Sequence, residues 1–124
     1  MNIVKEVQKS SQQLTIVEKY ENVIGYLYPI IQRTPRKHSI ARDKFLKRLF
    51  DQVELFIQAG KSGQISKLYN ADANLATLRF YLRFFRERIH HLTVKQEAHA
   101  LSLIAEVGSL LGAWIKSNKG QSRS

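Results

Sequence analysis

Residues 64–89, QISKLYNADANLATLRFYLRFFRERI, carry the most regular apolar spacing in the chain. Ala71, Leu75, Leu78, Leu82, Phe85 and Ile89 succeed one another at steps of three and four, which at about 100° per residue places them on one helical face. A third helix with this core stripe is predicted over Gln64–Ile89. Similar spacing continues on both sides. Upstream, a first helix is predicted over Gln12–Gln32, with Leu14, Val17, Glu21, Ile24, Leu27 and Ile31 sharing a face and Thr34-Pro35 ending it. Pro29 lies inside this helix and removes one hydrogen bond, so a kink is expected there, eased by glycine at position 25. A second helix should open at Ser39 as N-cap and run through Leu46, Leu49, Phe50, Val53, Phe56 and Ile57 to Gly60. Downstream, Thr93 and Gln96 form a capping box for a fourth helix, with Ala98, Leu101, Ala105, Gly108, Leu111 and Ile115 along one side.

Four amphipathic helices on short loops predict an all-α, antiparallel four-helix bundle over residues 12–117, preceded by an arm at 1–11 and followed by a flexible basic tail at 118–124. The length of 124 residues suits a single domain. No cysteine is present, which excludes disulfides, a thiolate nucleophile and Cys-ligated metal. The apolar run Leu103–Ile115 is interrupted by Glu106 and two glycines and is not expected to span a membrane. The N-terminus lacks the apolar core of a secretory signal, and a cytoplasmic location is expected.

Two helices carry apolar residues outside their main stripes. Leu103, Val107, Leu110 and Trp114 fall together on the fourth helix, as do Phe80 and Phe84 with Tyr81 on the third. One bundle would leave these patches exposed, so they are predicted to form an oligomer interface; a thicker core with one more central helix is the alternative.

Motifs for chemistry are weak. Gly60-Lys61-Ser62 lacks the earlier glycine of a phosphate-binding loop, since position 55 is leucine on a helix. Glu87 and His90 make a single Glu-x-x-His pair where a di-iron bundle needs two. No metal, cofactor or catalytic residue is expected.

Charge is more informative. Twenty Lys and Arg against ten Asp and Glu leave a net charge of +10, which favours polyanionic partners. Between positions 33 and 48, Arg33, Arg36, Lys37, Arg42, Lys44, Lys47 and Arg48 face one acid, Asp43. Cations at a helix start oppose its dipole and make more sense where an anion binds. On the third helix Arg79, Arg83 and Arg86 lie within an arc of about 60° beside Phe80 and Phe84. Guanidinium groups next to aromatics contact phosphates and stack on bases; alternatively they pair with acids such as Asp72, Glu87 or a neighbouring subunit's carboxylate. The candidate nucleic-acid or protein-binding set is therefore Arg36, Lys37, Arg42, Lys44, Arg48, Arg79, Arg83 and Arg86.

Three runs, IVEKYENVIGYLYPIIQRTPRKHSIARDKFLKRLFDQVELFIQAGKS (16–62), SKLYNADANLATLRFYLRFF (66–85) and LIAEVGSLLGAWI (103–115), resemble the accessory variability determinant of diversity-generating retroelements. The likeness extends over about Leu14 to Lys119, and the stretch RERIHHLTVKQEAHA departs from it. A wider group of four-helix proteins encoded in ribosomal RNA intervening sequences is similar to a lesser degree. The resemblance implies a basic homopentameric barrel that associates with the element's reverse transcriptase and with RNA and DNA during mutagenic retrohoming, making no bonds itself. By position it places Arg36, Lys37, Arg42, Arg79 and Arg83 on the basic surface. The contrasting expectation is a structural helical-bundle oligomer with non-specific nucleic-acid affinity and no retroelement role.

Overall fold

The computed structural model describes the backbone of residues 3–122 and the side chains of residues 12–120. Four helices follow in order: α1 (Ile3–Gln32), α2 (Ser39–Ser62), α3 (Ile65–Glu87) and α4 (Val94–Ser122), with one 3-10 turn at Arg36–His38 before α2. No strand occurs among the described residues. Each helix packs on its chain neighbours and α1 closes the ring on α4. With loops this short, that connectivity is an up-down four-helix bundle.

The core follows the stripe expected for α3 closely: Leu68, Ala71, Leu75, Leu78, Leu82 and Phe85 are buried. Ile89 is half-buried in the loop beyond the helix. The phases of α1 and α4 differ from expectation. On α1 the buried residues are Ile16, Tyr20, Val23, Leu27 and Ile31, while Leu14 is 61% exposed. On α4 they are Ala100, Ile104, Val107, Leu111 and Trp114. Both helices carry apolar residues around more than half of their circumference, so spacing alone leaves the stripe free to rotate by one position.

Termini are set by local chemistry. The capping box at α4 forms reciprocally: the Gln96 amide N–H donates to Thr93 Oγ1 and the Thr93 N–H to Gln96 Oε1, each at 3.0 Å. The α2 start differs from expectation. His38 is the N-cap and makes no side-chain cap hydrogen bond, and Ser39 is already the first helical residue. Its end is Gly63 rather than Gly60; Gly63 adopts φ 67° and returns its N–H to the Ala59 carbonyl at 3.1 Å. Gly60 serves another purpose, because a Cβ there would overlap the Gln13 side chain of α1. α3 ends around His90, at φ 60°, with the His91 N–H closing onto the Phe85 carbonyl at 2.9 Å.

α1 begins at Ile3, so the backbone of the expected arm is helical and continuous with the bundle, and it runs through Pro29 to Gln32. α4 likewise continues to Ser122, into the expected tail; residues 1–2 and 123–124 lie outside the described residues. Over Val94–Gly120, α4 is long and apolar enough to cross a membrane by length and composition, despite its interruptions. In the bundle its buried stripe packs against α1 and α3.

Hydrogen bonds hold the polar side chains inside the core, although Asn74 Oδ1 has no partner among the described residues. Gln52 Nε2 donates to the Ala71 carbonyl at 2.9 Å, and Asn74 Nδ2 lies 2.8 Å from Gln52 Oε1 and 3.0 Å from the Arg48 carbonyl, joining α2 to α3. The Tyr20 hydroxyl donates to the Leu49 carbonyl, joining α1 to α2. Burial holds the Tyr20 phenol well above its usual value, with the Asp51 charge acting in the same direction.

Candidate nucleic-acid interface

The α3 sequence determines what the bundle displays at one end. With Leu78, Leu82 and Phe85 turned inward, Phe80 and Phe84 must point outward, and Tyr81 falls on the flank next to α2. Phe80 is 47% exposed and Phe84 half-buried. Their rings stack at 5.8 Å with an interplanar angle of 24°. Tyr81 is anchored by stacking on buried Phe45 at 5.2 Å, and Phe45 meets Phe85 edge-on at 5.0 Å. The aromatic surface is therefore fixed to the core.

Between this surface and the start of α2 lies an open groove of about 490 Å³. Phe80, Tyr81, Phe84 and Ile89 line one side, and Ile40 and Ala41 the other. Lys37, His38, Lys44 and Arg88 also line it. A second hollow of about 420 Å³ lies against the same two phenylalanines and is lined by Arg83, Glu87 and Arg88. The Arg83 guanidinium sits 5.9 Å from the Phe80 ring centre, within cation–π range. No acidic residue occupies the first turn of α2, whose positive dipole end opens on the groove.

The expected cations separate into distinct groups. Lys37 and Lys44 reach the groove, and Arg83 reaches the adjoining hollow. None of these three, nor Arg88, forms an ion pair with a described residue. Arg86, on the α4 side of the same helix, is committed elsewhere. Its Nε donates to Glu97 of α4, and its Nη2 lies 3.1 Å from Glu87. The hydrogen bond to Glu97 holds the Arg86 guanidinium above its usual value, and desolvation only partly offsets it. Arg86 is thus a clamp between α3 and α4, and it does not join Arg83 in a common patch. Arg79 extends along the α4 side as well, where its Nη2 would be 3.3 Å from a Cβ added at Gly108. Arg42 pairs with Asp43 at 3.0 Å, Lys47 with Asp51 at 2.8 Å. Arg36 and Arg48 are exposed outside both hollows.

The premise of the apolar interface also changes. Val107 and Trp114 are 0% and 4% exposed within one chain, so the bundle itself covers them. Leu103 and Leu110 are half-buried at the edge of the same core. The four do not make one uncovered stripe, because α4 is rotated from its expected phase. Gly112 has open space around it within this chain.

Arg88 was absent from the residues singled out by sequence. Its signal was present, since Tyr81, Phe84 and Arg88 follow at i, i+3 and i+7 on one face. What spacing could not show was that the 3-10 turn would bring Lys37 and His38 to that same face. Gln52 and Asn74 gave no signal of a buried polar link. His91 gave none either, although its Nε2 lies 2.7 Å from the Ile30 carbonyl and joins the α3–α4 loop to α1.

Among the described residues no cluster of three or more His, Asp or Glu side chains is placed to hold a metal ion. His90, paired by spacing with Glu87, terminates α3 in the left-handed region instead. No curated protein matches the chain. A family model does match, over residues 14–118, which takes in α2, α3, most of α1 and α4 and both sides of the groove. The chain belongs to the bAvd-like family.

Proposed function

We propose that this chain is a non-enzymatic accessory protein of a diversity-generating retroelement, binding the element's reverse transcriptase and its template RNA or cDNA in support of mutagenic retrohoming. Membership of the bAvd-like family supports the retroelement role. The observation that carries nucleic-acid binding is the convergence of Lys37, Lys44, Arg83 and Arg88 from two chain segments, against one acid, Glu87, already paired with Arg86. Such a patch attracts phosphates without reading sequence. The protein acts in the cytoplasm as a homo-oligomer, with five copies preferred from the family resemblance, and repetition of the patch around a ring multiplies its phosphate contacts.

Reconstitution tests the proposal. The purified chain should co-purify with a reverse transcriptase of such an element and should raise cDNA synthesis from the template-repeat RNA. Light scattering at micromolar concentration should give a multiple of 14.3 kDa. A monomer that neither joins the polymerase nor changes cDNA yield would contradict it.

A further inference from the structure

We infer that the groove between the start of α2 and the C-terminal half of α3 is a stacking site for an unpaired nucleobase in a single strand, with Phe80 and Phe84 as the platform. This rests on the nucleic-acid reading above and specifies which form of the polymer the patch takes.

Three features define the occupant. The platform is aromatic and outward-facing: the two rings lie near-parallel, at 24°, and Phe80 is about half exposed. A soluble occupant must therefore present a flat apolar face of its own. The cations Lys37, Lys44, Arg83 and Arg88 stand around this platform without carboxylate partners, so the occupant must also be anionic at more than one point. The volume of about 490 Å³ falls within the range of sites for small ligands, roughly 300 to 1,000 Å³, and so suits a single base. A base with its flanking phosphates meets all three conditions. Base pairs inside a duplex have both faces covered by their neighbours, whereas an unpaired base has a face to give.

Other occupants fit less well. An extended peptide gains affinity by adding to a free strand edge, and this groove is walled by helices and a 3-10 turn. A second copy presenting this same face in a two-fold contact would place four cations opposite four cations; a ring contact would seat a different face of the neighbour here, and the oligomer size of the variants below detects it. The sequence assigned Phe80 and Phe84 to an oligomer seam; their encirclement by unpaired charge points instead to a polyanion.

The geometry also orders the roles. Phe80 and Phe84 supply the stacking surface, and Tyr81, fixed on Phe45, closes the inner wall. Lys37 and Lys44 serve the phosphate on the α2 side, and Arg83 and Arg88 the phosphate on the other.

The test compares the full-length chain with Phe80→Leu/Phe84→Leu, using single-stranded RNA carrying 2-aminopurine and a blunt RNA duplex of equal length. The parent should alter 2-aminopurine fluorescence on binding. The double variant should lose at least about fivefold in affinity for the single strand, the lower end expected for one stacked base, and nothing for the duplex. Phe80→Leu alone, at the more exposed ring, should show part of the same loss and guards against misfolding of the pair. Equal affinity of parent and variants for the single strand would overturn the inference while leaving duplex binding and the proposed function in place. A changed oligomer size in the variants would assign the rings to a seam between copies and overturn it too. So would displacement of the single strand by an uncharged apolar helical peptide at equal concentration. A parent that binds neither polymer overturns both proposals together.

Discussion

The two flanks of α3 use the same kind of residue for opposite ends. On the α4 side, Arg86 is held by Glu97 and Glu87, and its charge is cancelled where it stands. On the outer side, Arg83 and Arg88 line a hollow with the phenylalanines, and Lys37 and Lys44 face them across the groove without carboxylate partners. A count of basic residues treats these as one patch. Their surroundings divide them into a clamp that joins two helices and a surface whose field is left for a ligand. Positive charge points to binding only where the fold has left it uncompensated.

The largest effect should come from removing the floor beneath the outer flank. Phe85 is fully buried and supports Phe45, which in turn holds Tyr81. Phe85→Ala should cost about 3 to 5 kcal/mol in chemical denaturation, because the core can close only part of the space left behind. Nucleic-acid affinity should fall with it, since the inner wall of the groove is released. A folded variant with unchanged stability would mean that the two flanks do not share this support.

A smaller effect separates core stability from surface charge. The Tyr20 phenol is buried and held un-ionised, with its value raised above the ordinary 10.0. The unfolded chain releases this proton at lower pH than the folded one, so stability should be fully present below about pH 10 and decline as pH rises beyond it. Tyr20→Phe should remove that alkaline component. It should also lose about 1 kcal/mol at neutral pH with the hydrogen bond to Leu49. Equilibrium unfolding at pH 7 and above pH 10 checks both, and RNA affinity should not change.

The smallest effect concerns the outer surface of α4. Gly112 is exposed with no heavy atom near a built Cβ, so Gly112→Ala should stabilise the helix by about 0.5 to 1 kcal/mol through backbone entropy. A lower melting temperature would show that another copy packs closely on this face in solution. Gly108 differs, because its neighbour is the end of the Arg79 side chain, which can give way.

The same contrast explains what the sequence could and could not convey. The α3 stripe was legible because it keeps its three- and four-residue steps along the whole helix, whereas the second apolar patch, Phe80, Tyr81 and Phe84, is confined to the C-terminal half. α1 and α4 have apolar residues on several sides, so that Tyr20 was missed as a core residue and Val107 and Trp114 were placed outside. The capping box was legible because it is local. The groove was only half legible: Arg83 was set beside Phe80 and Phe84 on one helix, but Lys37 and Lys44 were read apart from them, and the two rings were also assigned to an oligomer interface. Their meeting depends on the 3-10 turn at Arg36–His38 and on the packing of α2 against α3, neither of which follows from spacing. The commitment of Arg86 depends on Glu97, eleven residues away across a loop.

The division between the flanks is tested most directly by the salt dependence of single-stranded RNA binding, measured by fluorescence anisotropy for the parent, Lys44→Ala/Arg88→Ala and Arg86→Ala. Each phosphate contact on a single strand contributes about 0.7 to the slope of log affinity against log salt. The Lys44→Ala/Arg88→Ala chain should therefore bind more weakly with a slope shallower by about 1.4, while Arg86→Ala should melt at lower temperature and keep the parent's slope. A parent slope in Lys44→Ala/Arg88→Ala, or an equal loss of slope in Arg86→Ala, would contradict the assignment of the outer flank to the ligand and the inner flank to the fold.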